Sequence, residues 1–236
     1  MSLDMEQKMP RHVAIIPDGN RRWAKAHGQL PWIGHKVGVD RFQEVSEAAF
    51  QSGVEYVTFW AASSDNLLKR ATIEVAFLLK LFKEAIEREF WHKQITKHNI
   101  RVRVLGKWRD ITKDTALENS IGKLEDKTKD FAKRTLTILF GYDGQQEMID
   151  AFHALKYSKE PVTIESLHRA LWTKDLPPVD LVIRTGGEPH WSAGFMMWHT
   201  ANSQFYFTEE LWPDFTPEKL KLALADYAER GRRFGK

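Results

Sequence analysis

The sequence predicts an α/β fold, one domain over residues 1–236 with a mainly parallel six-stranded sheet flanked by helices. Three observations carry this reading. Short apolar runs rich in β-branched and aromatic residues alternate with longer segments of helical periodicity. No repeat, low-complexity tract or linker interrupts the series. Polar clusters follow the first, second and fifth runs, where ligands bind in such sheets, beyond the carboxyl ends of the strands. About residues 1–9 are expected to be a disordered N-terminal segment.

In chain order, His12-Val13-Ala14-Ile15-Ile16 reads as a buried first strand. It stops at Pro17 and delivers Asp18-Gly19-Asn20-Arg21-Arg22-Trp23 into a loop that opens the next helix. A helix is predicted over Val39–Gln51, with Phe42, Val45, Ala48 and Ala49 on one face and Gly53 closing it. A second strand, Tyr56–Ala61, runs into Ser63-Ser64-Asp65-Asn66. A long helix is predicted from about Thr72 to Lys97, and its apolar stripe is broader than one packing face needs. Ile100–Leu105 alternates apolar and basic residues, as a strand near a sheet edge does. Thr112–Lys133 reads as a charged, solvated helix. The fourth strand, Thr135–Phe140, is followed by helices at Gln145–Tyr157 and Thr163–Trp172. A short fifth strand, Asp180–Ile183, ends in Arg184-Thr185-Gly186-Gly187-Glu188. A helical segment near Gly194–Ala201, a strand at Phe205–Phe207 and a helix over Pro217–Arg230 complete the series.

Composition excludes several classes. The 35 basic and 32 acidic residues leave a formal charge of +3, too balanced for a nucleic-acid partner. Without cysteine there is neither a disulfide nor a thiolate metal site. Met1–Met9 is polar and lacks the apolar centre of a signal peptide, and no apolar run approaches the roughly 18 residues of a membrane span. The expectation is a cytoplasmic protein that visits a membrane surface at most. Nine tryptophans and fourteen phenylalanines suggest large apolar walls as well as a core.

The cluster after the first strand suits a metal-bridged phosphate or diphosphate. Asp18 can hold a divalent cation, Gly19 lets the backbone approach a ligand, and Asn20, Arg21 and Arg22 donate to anionic oxygens. There is no P-loop string, no G-x-G-x-x-G and no Asp-Asp-x-x-Asp, and His12, His27 and His35 share no metal-ligand spacing. What remains is one metal-competent aspartate, several arginines and a broad apolar helix. Cations suit a diphosphate, each charge-assisted hydrogen bond contributing about 1.5–3 kcal/mol. The apolar wall suits a hydrocarbon chain at about 0.8 kcal/mol per buried CH₂. Together they describe a pocket for an amphiphile with a diphosphate head.

The sequence resembles the cis-prenyltransferases, the undecaprenyl diphosphate synthase family. The resemblance rests on His12–Trp23, Gly34-His35-Lys36, Ser63-Ser64-Asp65-Asn66-Leu67, Asp180–Glu188 and Tyr206-Phe207-Thr208…Leu211-Trp212-Pro213-Asp214-Phe215, in the family's order. It implies a dimeric Mg²⁺ enzyme that adds isopentenyl diphosphate to an allylic diphosphate with Z stereochemistry. It further implies a hydrophobic tunnel, partly formed by the helix from Thr72, and a homodimeric or heterodimeric assembly; a homodimer with peripheral membrane contact for product release is the expectation. By the same carry-over, Asp18 is the essential aspartate at metal and diphosphate. Gly19, Asn20, Arg21 and Arg22 surround the allylic diphosphate, with Trp23 and His35 as neighbouring contacts. Ser63 and Asn66, within the Ser63-Ser64-Asp65-Asn66 string, lie near the reacting carbons, and Asn66 is tied to proton removal. Arg184 and Ser192 match the isopentenyl diphosphate site. Arg233 and Gly235 match a C-terminal R-x-G that reaches across the dimer.

This chain departs from the family pattern at defined places. Pro31 stands where an arginine is usual before Gly-His-Lys, and Leu67 follows the asparagine. Lys69 or Arg70 fills the family's arginine position, with Arg70 preferred. The usual R-x-S-x-F becomes His190-Trp191-Ser192-Ala193-Gly194-Phe195, and Gln204 replaces the glutamate that is a second metal contributor. Chain elongation to a polyprenyl diphosphate is the leading reading. A short-chain or irregular Z-prenyl synthase is the alternative from the same fold. A non-catalytic partner subunit is a third, although such subunits tend to lose the aspartate that Asp18 supplies.

Overall fold

β1 (His12–Ile16) is buried along its whole length, and the sheet is built outward from it. The computed structural model describes residues 9–230. The other strands are β2 (Tyr56–Ser63), β3 (Ile100–Leu105), β4 (Arg134–Tyr142), β5 (Leu181–Arg184) and β6 (Gln204–Phe207). Their order is β3-β4-β2-β1-β5-β6, and every neighbouring pair is parallel. The alternating β3 is an edge strand, as its pattern predicts. Because β2 lies on one side of β1 and β5 on the other, the winding reverses at β1. That reversal opens a crevice above the carboxyl ends of β2, β1 and β5.

Side-chain alternation divides the core into two layers. Val13 and Ile15 face one cluster with Val57, Leu136 and Ile183, whereas Ala14 and Ile16 face the other with Leu139, Val182 and Phe195. The first layer is covered by α2 (Pro31–Gln51), α4 (Thr72–Glu87), α5 (Glu89–Lys97), α7 (Thr115–Thr128) and α10 (Pro217–Arg230). The remaining helices are α1 (Asn20–Ala26), α3 (Ser64–Lys69), α6 (Trp108–Thr112), α8 (Gly144–Lys156) and α9 (Ile164–Ala170). Met9 packs on the first layer; the rest of the expected disordered segment lies outside the described residues. Among the described residues no helix is long and apolar enough to cross a membrane.

Several elements differ from the sequence expectation. Asn20–Trp23 form the first turn of α1 rather than a loop, entered through Gly19 at φ +114°. α2 begins at Pro31, not Val39, because the proline sits in its first turn and Leu30 caps it in extended geometry. The predicted helix over Thr72–Lys97 is two helices. Arg88 breaks them at ψ 121°, held by Asp40 at 2.5 Å and Gln43 at 3.3 Å, so that Trp91 and Ile95 turn into the core. The charged helix expected over Thr112–Lys133 is shorter, Thr115–Thr128: Lys113 (φ 50°) ends the preceding α6, and Asp114 caps α7 by accepting the Leu117 N–H. Gly194–Ala201 forms successive turns, not a helix.

Gly34 and Gly38, one turn apart on α2, let α1 lie directly against it. A Cβ on Gly34 would overlap the Asn20 carbonyl, and one on Gly38 would overlap the Asn20 side chain and meet Trp212 at 3.0 Å. Gly34→Ala gains up to about 1 kcal/mol of helix propensity but forces two backbones apart, an overpacking worth about 1–3 kcal/mol. The expected result is a net loss of about 1–2 kcal/mol in urea unfolding, together with reduced activity. Unchanged stability and activity would show that α1 can shift freely.

Candidate active site

Asp18 leaves β1 at the centre of the crevice. Its carbonyl accepts from the Thr185 hydroxyl at 2.7 Å and the Trp212 N–H at 2.9 Å, which anchors the backbone from two other segments. Its carboxylate is about one-third exposed and lies between two guanidiniums, Arg22 Nη2 and Arg184 Nη2, each at 3.2 Å. Arg184 ends β5 and is 4% exposed, so its charge is held where few waters can screen it. Its Nη1 donates to the His190 carbonyl at 2.7 Å and the Ser192 hydroxyl at 2.6 Å. Arg22 donates to the Gly186 carbonyl at 2.7 Å. Gly186 is at φ +93°, and a Cβ there would lie 2.5 Å from Arg22 Nη2. Glycine is required at that position for both reasons.

A second group of cations lies on the other side of Asp18. Arg70 Nη1 donates to Glu74 Oε1 at 2.8 Å and to His35 Nε2 at 3.2 Å. Burial, with the positive charges of Arg70 and Arg21 adding to it, pushes His35 down to about 4. The ring is therefore neutral near pH 7 with Nε2 as the acceptor, and its 3.9 Å approach to Glu74 is not an ion pair. Lys69 instead pairs with Asp65 at 2.7 Å, both largely exposed.

A cavity of about 1110 Å³ joins these groups to the core. Its polar end is lined by Asp18, Gly19, Asn20, Arg21, Arg22, His35, Arg70, Arg184 and Ser192. Ser63, Asp65 and Asn66 border it at the end of β2. The Ser63 side chain caps α3 by accepting the Asn66 N–H at 3.0 Å. The deep wall is apolar, with Phe42, Phe59, Phe82, Trp91, Phe140 and Ile86. Phe82 and Phe140 meet as tilted rings with centroids 4.3 Å apart, and Phe42 and Phe59 do so at 4.4 Å.

Three of the expected residues are not brought to the cavity lining. Ser64 turns to the Gly141 carbonyl at 3.0 Å, and Trp23 donates to Asp214 at 2.8 Å while stacking on His27. The His190 ring contacts Ser192 at 3.2 Å beside the cavity. Gln204 pairs with Leu181 at the amino end of β6, three residues from the level of Arg184, or roughly 10 Å along a strand. Arg233 and Gly235 lie outside the described residues.

Sequence reasoning missed Glu188, whose carboxylate approaches Arg184 at 3.5 Å and Arg22 at 3.9 Å. It also missed Glu74. The signals were present: Glu188 closes the Arg184–Glu188 string, and Glu74 lies one helical turn from Arg70.

Among the described residues no group of three or more His, Asp or Glu side chains could cage a metal. The single carboxylate of Asp18, set among arginines, instead fits a Mg²⁺ that takes its other ligands from water and substrate phosphates.

The prenyltransferase family model described as undecaprenyl diphosphate synthase matches residues 16–235. An isoprenyl transferase of Thermus thermophilus is 38% identical over 239 residues, covering 97% of this chain and 89% of that protein. A (2E,6E)-farnesyl-diphosphate-specific ditrans,polycis-undecaprenyl-diphosphate synthase of Aliivibrio fischeri is 36% identical, covering 100% of this chain and 91% of that one. Lavandulyl diphosphate synthase from Lavandula x intermedia, solved with dimethylallyl diphosphate, superposes with a TM-score of 0.90 at 28% identity, covering 98% and 100% of the two chains. A cluster of arginines around one aspartate, opening onto an aromatic-walled cavity, is thus carried on the same fold: the chain belongs to the undecaprenyl diphosphate synthase family of prenyltransferases.

Proposed function

We propose that the protein condenses isopentenyl diphosphate with an allylic diphosphate and elongates the chain in Z geometry to a polyprenyl diphosphate. The observation that carries this is the polarity of one cavity, cationic around Asp18 at its mouth and aromatic at depth. A diphosphate amphiphile matches both ends, and the deep aromatic wall is the part of the cavity that suits a growing chain.

Each residue has a place in that chemistry. Arg21, Arg22 and Arg70, with Gly19 and Asn20, surround the allylic diphosphate and stabilise the negative charge that builds as its C–O bond breaks. Neutral His35 accepts from Arg70 and so aims that guanidinium. Arg184 and Ser192 hold the diphosphate of the second substrate, whose alkene attacks the allylic carbon. Asn66 and Ser63 lie near the reacting carbons, where the proton leaves to a diphosphate oxygen or by way of Asn66. The apolar wall excludes water from the carbocation-like centre. Asp18 would hold Mg²⁺, which when bound supplies charge neutralisation at the leaving diphosphate.

The proposed assembly is a cytoplasmic homodimer formed by a single domain. Ile149 and Phe152 on α8 are about half exposed and offer apolar area to a second copy. Leu30, Leu68 and Ile73, exposed close in sequence to cavity-lining Pro31, Asn66 and Arg70, support contact with a membrane surface during product release.

Incubation with labelled isopentenyl diphosphate, Mg²⁺ and each of the C5, C10, C15 and C20 allylic diphosphates tests the reading. Products longer than the primer by multiples of five carbons are expected. A single irregular C10 product would favour a lavandulyl-type reaction, and no product with any primer would overturn prenyl transfer.

A further inference from the structure

The turn that presents Ser192 to the site is conformationally unfavourable. Ala193, Gly194 and Met196 have φ of 45°, 61° and 47°, and Met196 is fully buried. Non-glycine residues occupy this left-handed region only where the surroundings hold them there. Two contacts do so. The Gly144 N–H donates to the Ala193 carbonyl at 3.1 Å, and a Cβ on Gly144 would overlap the Gly194 carbonyl. Further along, the Met196 N–H donates to the Tyr142 hydroxyl at 3.2 Å.

That hydroxyl is aimed by Glu147. Tyr142 donates to Glu147 Oε2 at 2.5 Å, while Oε1 accepts from the Thr173 N–H at 2.9 Å and the Thr173 hydroxyl at 2.7 Å. Glu147 is 2% exposed, and these three donors are neutral. A carboxylate so deeply buried keeps its place only through such hydrogen bonds. Burial pushes the Tyr142 phenol well above its ordinary value, so it remains protonated and can serve as the donor. None of Tyr142, Glu147 and Thr173 lines the cavity.

The contacts form a continuous series from α8 to the site. Glu147 orients the Tyr142 hydroxyl, the hydroxyl holds Met196, and the turn sets Ser192 Oγ 2.6 Å from Arg184. We infer that Glu147, acting through Tyr142, is a positioning residue for the Arg184–Ser192 half of the site, and so for the diphosphate of the non-allylic substrate. The inference rests on the proposed function in assigning that half to isopentenyl diphosphate. Arg22 shares Asp18 and Glu188 with Arg184 but has its own anchor in the Gly186 carbonyl, and Arg70, beside His35, is anchored by Glu74.

Two variants of the full chain test it. Glu147→Gln keeps the size and places an amide donor opposite the Tyr142 hydroxyl; Tyr142→Phe keeps the ring and removes the hydroxyl. Steady-state kinetics varying each substrate in turn should show the KM for isopentenyl diphosphate raised about tenfold or more. The KM for the allylic diphosphate should stay within twofold. The double variant should be no worse than Tyr142→Phe, because both changes act through one hydroxyl. Equal rises in both KM values, or a fall in kcat with an unchanged KM for isopentenyl diphosphate, would overturn the positioning role.

Wild-type turnover, measured first, tests the functional reading separately. Calorimetric titration with isopentenyl diphosphate alone compares the variants without turnover, and an affinity equal to wild type would count against the role. Thermal melts check folding. If neither variant folds, Thr173→Val, which removes the hydroxyl donor to Oε1 together with its contact to His199 Nε2, carries the same expectation in weaker form. Failure of all three to fold would assign the network to stability alone and overturn the inference.

Discussion

Asp18→Ala is expected to lower turnover by roughly a thousandfold or more, the scale seen when a group that organises transition-state charge is removed. The protein should remain folded, because the contacts that fix this backbone are retained. Thr185 and Trp212 donate to the Asp18 carbonyl, which the substitution leaves in place. The side chain itself is partly exposed and belongs to neither core layer. The buried Arg184 loses one carboxylate but keeps Glu188, the His190 carbonyl and Ser192. A stability loss of about 1–2 kcal/mol is therefore expected, on the scale of one charge-assisted hydrogen bond. Asp18→Asn separates charge from shape, since the amide occupies the same volume and brings no negative charge to a cation. It should be nearly as inactive as the alanine variant, and the dependence of residual rate on Mg²⁺ should flatten. Turnover within tenfold of wild type in either variant, at equal folded fraction, would remove Asp18 from the chemistry.

The sheet was legible because its strands are short runs rich in β-branched and aromatic residues, buried on both faces in β1 and β5 and along most of β2 and β4, and alternating at the edge in β3. β3 and α10 have the limits expected, and β1 does too. Errors gathered where tertiary contacts override local pattern. Gly34 and Gly38 are poor helix formers, yet they sit inside α2 because a second helix packs on them. Arg88 carries good helix propensity and breaks a helix because Asp40 and Gln43 hold its side chain from across the layer. The site divides in the same way. Residues tied to a strand end, Asp18, Arg184 and Asn66, could be placed from strand position alone. The pairing of Arg70 with His35 could not, because it depends on how α2 approaches the end of α3. Glu147 and Tyr142 were beyond sequence reasoning for a related reason. A glutamate in the first turn of a helix ordinarily serves the helix dipole in solvent, and only the fold reveals that this one is buried.

Acidification is expected to destabilise the protein steeply between about pH 6.5 and 4. Burial is the leading cause that holds three histidines below their ordinary value, His12 and His35 at about 4 and His199 at about 3. The hydrogen-bond partners of these rings are neutral or cationic. His12 meets the Pro177 carbonyl with Nδ1 and the Thr58 hydroxyl with Nε2, at 2.9 and 2.8 Å. His35 accepts from Arg70, so a proton on Nε2 would face a guanidinium, and His199 Nε2 contacts the Thr173 hydroxyl at 2.9 Å. An unfolded histidine titrates near 6.5, so within this window the unfolded chain binds more protons than the folded one and stability rises with pH. Each histidine contributes up to about 1.4 kcal/mol per pH unit, and all three together about 4 kcal/mol per unit at the steepest point. Glu147 acts in the opposite direction, because burial raises its carboxyl and the folded chain takes up that proton earlier. One proton does not offset three. Against a typical total of about 5–15 kcal/mol, the loss is a large fraction of the whole. Urea unfolding at intervals from pH 7.5 to 5 reads the slope directly, and stability should be nearly flat above pH 7 as far as these groups decide it. Replacing His12 with glutamine removes one titrating group and should make the acid limb shallower, even though it lowers stability at neutral pH. A profile that stays flat from pH 7.5 to 5 would mean that these rings remain accessible to protons in the folded protein.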